Sequence, residues 1–311
     1  MSRIREALKR AAEERSAQTG GRAEDFIDIL REAPASAVAP ADLGKLELQG
    51  RTEFVNPDLN TLFAECKKVR WHFEPRFSVF ANEENHRSGA EKFRTLRSRL
   101  CQISATRPLR RLLLTSSVPQ EGKTFVAANL AQSIIRQADR RVLLVDADLR
   151  ASRLNLTLGA MNEPGLSDYL LGEAPITKVL QVGEKKDLCF IPGGRLVTNP
   201  SELLHSEKMK ALLGRMGQIF DWVILDSPPA IAVHDASILA DMCDGVLFVV
   251  RAGATEFQTA QRAAAEFPNS KLLGVILNRV DRTDAYGADY YGYAEEKGQE
   301  ADNEGNEFAA K

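Results

Sequence analysis

A lysine and a threonine, Lys123-Thr124, close the run Ser117-Val118-Pro119-Gln120-Glu121-Gly122. An ammonium group beside a hydroxyl, just behind a glycine, can neutralise phosphate charge and ligate a hard cation such as Mg²⁺. The run fits the P-loop pattern G-x-x-x-x-G-K-[ST], except that Ser117 stands in the place of the first glycine. In such a loop, backbone N–H groups and the N-terminus of the next helix point at phosphate oxygens. Gly122 permits close approach, Lys123 reaches the β- and γ-phosphates, and Thr124 suits Mg²⁺. The implied ligand is ATP with Mg²⁺.

Carboxylates follow at two places. Val142-Leu143-Leu144-Val145 leads into Asp146-Ala147-Asp148-Leu149-Arg150, and Val223-Ile224-Leu225 leads into Asp226-Ser227-Pro228-Pro229. A single aspartate after a strand is most simply a turn or cap residue. Three of them, on strands of one open α/β sheet, converge where ligands bind in such sheets, at the C-terminal strand ends. Asp146, Asp148 and Asp226 are therefore expected around Lys123 and Thr124, for metal handling and base catalysis.

These groups need a sheet to hold them. Short apolar runs are expected as strands at Arg111–Thr115, Arg141–Asp146, Leu188–Ile191, Trp222–Asp226, Gly245–Val250 and Leu272–Leu277. Between them the spacing predicts helices at Ser88–Cys101, Lys123–Gln137, Leu166–Leu171, Ser201–Met216, Asp235–Met242 and Phe257–Phe267. The alternation indicates an α/β P-loop fold, a mostly parallel sheet with helices on both faces. It occupies 86–282. Before it, 1–17 reads as an amphipathic helix and 18–85 as a linker and irregular region. After it, 283–311 reads as a disordered, tyrosine-rich acidic tail. From Asp281 to Lys311 there are nine acidic and three basic residues, a net charge of −6.

The whole chain of 311 residues carries a net charge of −2, which gives no nucleic-acid signal. No apolar run approaches the ~20 residues of a membrane span, and the charged N-terminus has no signal-peptide core, so a cytoplasmic location is expected. Cys66, Cys101, Cys189 and Cys243 have no CxxC spacing and read as reduced packing residues. The four histidines are dispersed and are assigned no role.

Over about 88–293 these segments resemble the bacterial tyrosine kinases of polysaccharide export, relatives of the MinD/ParA ATPases. Ser116-Ser117-Val118-Pro119-Gln120-Glu121-Gly122-Lys123-Thr124 resembles that family's Walker A loop. Asp146-Ala147-Asp148-Leu149-Arg150 resembles its Walker A′ motif, and Ile224-Leu225-Asp226-Ser227-Pro228-Pro229 its Walker B. Gly165–Leu170, Asn199–Leu204 and Leu277–Asp281 are similar to further family segments. Two departures stand out: Gln120 where the family commonly has Gly, and Ser152 where Pro is frequent.

The resemblance implies transfer of the ATP γ-phosphoryl to tyrosine, with Lys123 and the loop 117–124 on the phosphates. It implies Thr124, Asp148 and Asp226 at Mg²⁺, and Asp146 as the base for the phenol. Asn278 is implied to read adenine, although a strand-end turn residue is an equal reading of its position. Glu91, Arg94 and Arg97 have the spacing E-x-x-R-x-x-R. On its own this is a solvated helix face; by resemblance it joins subunits into a ring. Tyr286, Tyr290, Tyr291 and Tyr293 lie outside any hydrophobic pattern, and by resemblance they are autophosphorylation sites. The implied partners are further copies of the chain, the cytoplasmic segment of a transmembrane polysaccharide co-polymerase that recruits and activates it, and a tyrosine phosphatase. The alternative is a MinD/ParA-type ATPase switch or a nucleotide-dependent scaffold. Switches of that type carry a second lysine five residues before the P-loop lysine, where this chain has Val118.

Overall fold

The computed structural model describes residues 62–81, 87–185 and 187–280. The expected N-terminal helix, most of the linker, and the tail with Tyr286, Tyr290, Tyr291 and Tyr293 lie outside the described residues.

In chain order the strands are β1 (Lys67–Val69), β2 (Arg111–Ser116), β3 (Val142–Asp146), β4 (Gln181–Gly183), β5 (Leu188–Ile191), β6 (Trp222–Asp226), β7 (Gly245–Arg251) and β8 (Leu272–Asn278). The helices are α1 (Arg87–Thr106), α2 (Lys123–Ile135), α3 (Leu154–Leu158), α4 (Leu166–Leu171), α5 (Ile176–Val179), α6 (Pro200–His205), α7 (Glu207–Ile219), α8 (Asp235–Met242) and α9 (Phe257–Ala264). One sheet holds all eight strands in the order β1-β4-β5-β3-β6-β2-β7-β8. Every pairing is parallel except β4 with β5.

Successive strand residues face opposite sides of a sheet, so a strand rich in Leu and Val throughout must be covered twice. Leu113, Leu143, Val145, Val223 and Leu225 face a core closed by α4 to α9. Their neighbours Leu112, Leu114, Val142, Leu144, Trp222 and Ile224 face a second core closed by α1, α2 and α3. α2 is buried over most of its length, from Val126 to Ile134, because α1 lies across its outer side.

Two sequence expectations change. The expected domain start at 86 falls too late. Leu62, Phe63 and Cys66 are buried in the first core, Phe63 packs on Phe220 with ring centroids 6.1 Å apart, and Lys67–Val69 is the edge strand β1 beside β4. A three-residue strand is too short to show a period. The single helix expected over Ser201–Met216 is two, α6 and α7, broken at Ser206. The Ser206 hydroxyl accepts the Met209 N–H at 3.2 Å and caps α7.

Among the described residues no helix is long and apolar enough to cross a membrane. All four cysteines are free thiols. Burial pushes Cys66 up to about 11 and Cys243 up to about 12, as suits packing residues.

Candidate active site

β2 runs into the loop 117–122, which hands over to α2 at Lys123. The loop is braced by its own side chains. Ser116 Oγ donates to the Val118 carbonyl (2.9 Å), and the Val118 N–H donates to Glu121 Oε2 (2.9 Å). Two residues turn the chain in the left-handed region, Gln120 at φ 68° and Gly122 at φ 96°. Gly122 is required twice over, since a Cβ there would lie 2.0 Å from Asn278 Nδ2. Asn278 ends β8 and donates from that amide to the Glu121 carbonyl (2.8 Å). In this structure Asn278 supports the phosphate loop.

Glu121 braces the loop in a way that the sequence did not reveal. Its buried carboxylate accepts the Val118 N–H on one oxygen. On the other it accepts the Arg251 N–H (3.1 Å) and the Thr255 hydroxyl (2.5 Å). The P-loop is thereby tied to the end of β7 and the turn before α9. Those partners lie 130 and 134 residues downstream, beyond any local pattern.

Lys123 opens α2 with Nζ 3.2 Å from Asp148 Oδ2. Burial opposes the ammonium charge, but Asp226 and Asp148 outweigh it and hold the pKa above the ordinary lysine range. Thr124 Oγ1 donates to Asp226 Oδ2 at 2.6 Å. Asp226 Oδ1 is buried without a hydrogen-bond partner, and so is Ser117 Oγ. Burial pushes the Asp226 carboxyl up to about 7, although Lys123 and the Thr124 hydroxyl pull it down.

An unfilled buried carboxylate oxygen beside a threonine hydroxyl suits a hydrated hard cation. Among the described residues no group of three or more His, Cys, Asp or Glu forms a metal cage. Mg²⁺ needs none, since it takes one or two carboxylates together with phosphate oxygens and water. The residues fit it.

Asp146 and Asp226 are direct neighbours in register at the ends of β3 and β6. Asp146 is wholly enclosed and held by four donors. Its Oδ2 takes the Ser152 hydroxyl (2.7 Å) and the N–H groups of Arg153 (3.1 Å) and Leu154 (3.0 Å), which start α3. Its Oδ1 takes the Asp148 N–H (3.2 Å). Burial pushes the Asp146 carboxyl up to about 6 against the pull of these bonds. Asp148 turns back through its Oδ1 to the Ala151 N–H (3.0 Å) and offers Oδ2 to Lys123.

Arg150 leaves this cluster. It grips the buried Asp235 of α8 through Nε at 2.7 Å and Nη2 at 3.2 Å. The Ser201 hydroxyl of α6 joins the same carboxylate at 2.5 Å. The Walker A′ loop, α6 and α8 thus share one buried acid, a contact that no spacing in the sequence announces.

The three residues of E-x-x-R-x-x-R do not share one role. Each step of three residues turns a helix back by about 60°, so Glu91 and Arg97 diverge by about 120°. Glu91 and Arg94 pair on the surface at 3.0 Å. Arg97 turns inward, and its Nη1 donates to the Ser133 carbonyl in the last turn of α2 at 2.6 Å. The fifth tyrosine, Tyr169, is packed against the first core with Lys208 Nζ 4.7 Å from its ring centre.

Residues 120–262 match the AAA domain family. Tyrosine-protein kinase YwqD of Bacillus subtilis is 36% identical over 219 residues, covering 69% of this chain and 91% of YwqD. The chain belongs to the bacterial tyrosine-protein kinases. Tyrosine-protein kinase CpsD of Streptococcus agalactiae is 35% identical over 185 residues, which is 80% of its length. The kinase domain of the Escherichia coli tyrosine kinase ETK superposes with a TM-score of 0.56 at 34% identity, over 63% of this chain and 78% of that one. The chimerical protein CapA2B2 superposes with a TM-score of 0.61 at 26% identity, over 73% and 99%. As a tyrosine kinase the molecule is an ATP:protein-tyrosine phosphotransferase, and its P-loop, Walker A′ and Walker B groups stand at the C-terminal ends of the adjacent interior strands β2, β3 and β6.

Proposed function

We propose that this kinase is an autokinase, which transfers the γ-phosphoryl of ATP to Tyr286, Tyr290, Tyr291 and Tyr293 on the tails of neighbouring subunits. The observation that carries this reading is the pairing of Asp146 with Asp226 beside Lys123 and Thr124. One wall of the site handles phosphate and the other offers a carboxylate for a phenol. A phenol near pKa 10 is almost fully protonated at neutral pH, so a nearby base is useful.

Phosphoryl transfer depends on positioning and charge neutralisation more than on covalent chemistry. Lys123 and the N–H groups of the loop and first turn of α2 hold the phosphates. Thr124 and Asp226 would hold Mg²⁺, with Asp148 alongside, and the ion would neutralise phosphate charge. Asn278, which stands beside Gly122, is assigned the adenine contact. The tyrosine O–H gives its proton to Asp146, the phenolic oxygen bonds to the γ-phosphorus, and the bond from that phosphorus to the β–γ bridging oxygen breaks. ADP leaves with the electron pair.

Assembly through the Glu91 and Arg94 surface brings a tail to a neighbour's site. Each phosphate adds about −1.5 to −2 charge to a tail already at −6. Repulsion from the carboxylates of the site then releases the tail and loosens the ring. A membrane-spanning activator of polysaccharide synthesis and export reads that cycle from the cytoplasmic side, and a tyrosine phosphatase resets it. Val118 in the place of the second signature lysine supports a kinase over a MinD/ParA-type switch. Incubating the full chain with γ-labelled ATP and mapping the product by mass spectrometry tests the reading: label on the four tail tyrosines is expected, and ATP hydrolysis without phosphotyrosine would refute it.

A further inference from the structure

Asp146 Oδ2 is saturated by three donors, two of them backbone N–H groups at the start of α3 and the third the Ser152 hydroxyl. The Ser152 hydroxyl has a single proton and two acceptors in reach, Asp146 Oδ2 at 2.7 Å and Asn162 Oδ1 at 2.9 Å, and the nearer, charged oxygen takes it. Gly193 leaves room for that hydroxyl, since a Cβ there would lie 2.6 Å from Ser152 Oγ.

The two oxygens of Asp146 end up unequal. Oδ2 faces its own loop with every lone pair engaged. Oδ1 carries only the Asp148 N–H at 3.2 Å and retains acceptor capacity. We infer that Ser152 is a positioning residue for phosphoryl transfer: with the Arg153 and Leu154 N–H groups it locks the Asp146 carboxylate so that Oδ1 alone is presented to the acceptor tyrosine. The inference rests on the proposed role of Asp146 as base.

A base that can rotate spends part of its time misaligned, and misalignment of reacting groups lowers turnover without weakening nucleotide binding. The test uses the full chain and initial rates of phosphotyrosine formation over a range of ATP concentrations. Asp146→Asn should lower kcat at least 100-fold. Ser152→Ala should lower kcat about tenfold and leave the KM for ATP within twofold. Ser152→Cys, with a weaker donor of similar size, should fall between Ser152→Ala and the parent. Ser152→Ala should cause no further loss in the Asp146→Asn background, because Ser152 acts only through that carboxylate. Parental kcat in both Ser152→Ala and Ser152→Cys, or an equal loss with and without Asp146, would overturn the positioning role and leave Asp146 as base. Parental kcat in Asp146→Asn would overturn the base assignment, and the inference with it.

Discussion

At the C-terminal end of the sheet, Asp146 and Asp226 are buried side by side, and burial raises both carboxyls. At the N-terminal end, Asp244 lies between Arg110 and Arg111 and accepts both their N–H groups, at 3.0 and 2.8 Å. Arg111 also pairs with it at 2.6 Å. Burial alone would raise the Asp244 carboxyl, but the Arg111 side chain and these backbone donors hold it below its usual range. The nearby Asp221 is similarly occupied by the Arg141 N–H at 2.9 Å and the Arg140 guanidinium at 3.4 Å. Carboxylates at one end are thus fully satisfied by the fold. At the other, Asp226 keeps an oxygen without a partner. Acceptor capacity left unfilled in a buried site is what a ligand can use, and stability is secured at the opposite rim.

Substitutions at the two ends should therefore fail in different ways. The largest effect is expected at the site: Lys123→Met should lower autophosphorylation more than 100-fold while the thermal midpoint stays near that of the parent, measured with and without ATP. Equal activity would remove Lys123 from the mechanism. At the other rim, Asp244→Ala should lower stability by about 2 kcal/mol, because four N–H donors lose a charged acceptor. ATP affinity of the folded protein should not change.

The pH dependence carries a definite sign. Asp244 has a folded pKa below its unfolded value, so its contribution is present above about pH 4 and is lost as pH falls through the folded pKa. Denaturant melts of parent and Asp244→Asn should accordingly converge as pH falls below 4; a gap that widened would contradict the assignment.

Arg97→Ala should cost about 1 kcal/mol, through loss of its bond to the end of α2. The paired change Glu91→Ala, Arg94→Ala should reduce self-association in sedimentation with little change in melting. Loss of assembly in Arg97→Ala alone, without destabilisation, would return Arg97 to the subunit interface. The smallest effect is expected at Gln120→Gly. Relief of the left-handed backbone is offset by greater freedom of the unfolded chain, so a gain of about 0.5 kcal/mol or less should appear in melting.

The comparison also explains what could be read from the sequence. Asp146 and Asp226 were legible because each ends a strand, where an apolar run stops at a polar group, and Lys123 and Thr124 because they close the phosphate-loop pattern at the start of a helix. The sheet fixes the rest. β1 and β4 were not legible, since three residues carry no period and their burial depends on neighbours far along the chain. Glu121, Asp235 and Arg97 share one difficulty. Each is a charged residue with a partner 36 or more positions away, so local pattern shows little beyond the charge. The placement of Arg97 shows in addition that spacing of three fixes a face for two residues and drifts by the third. Ser206 was readable in principle, as a serine followed by Glu207 before an apolar run, the ordinary signature of a helix start.

The central claim is that the carboxylate pair beside Lys123 and Thr124 serves phosphoryl transfer to tail tyrosines. Changing Tyr286, Tyr290, Tyr291 and Tyr293 together to Phe tests it most directly, with γ-labelled ATP and full phosphosite mapping of parent and variant. The account predicts abundant phosphotyrosine at these positions in the parent. The variant should bind ATP normally, remain assembled with ATP and Mg²⁺, and lose nearly all phosphotyrosine. Undiminished phosphotyrosine in the variant, at Tyr169 for instance, would contradict it.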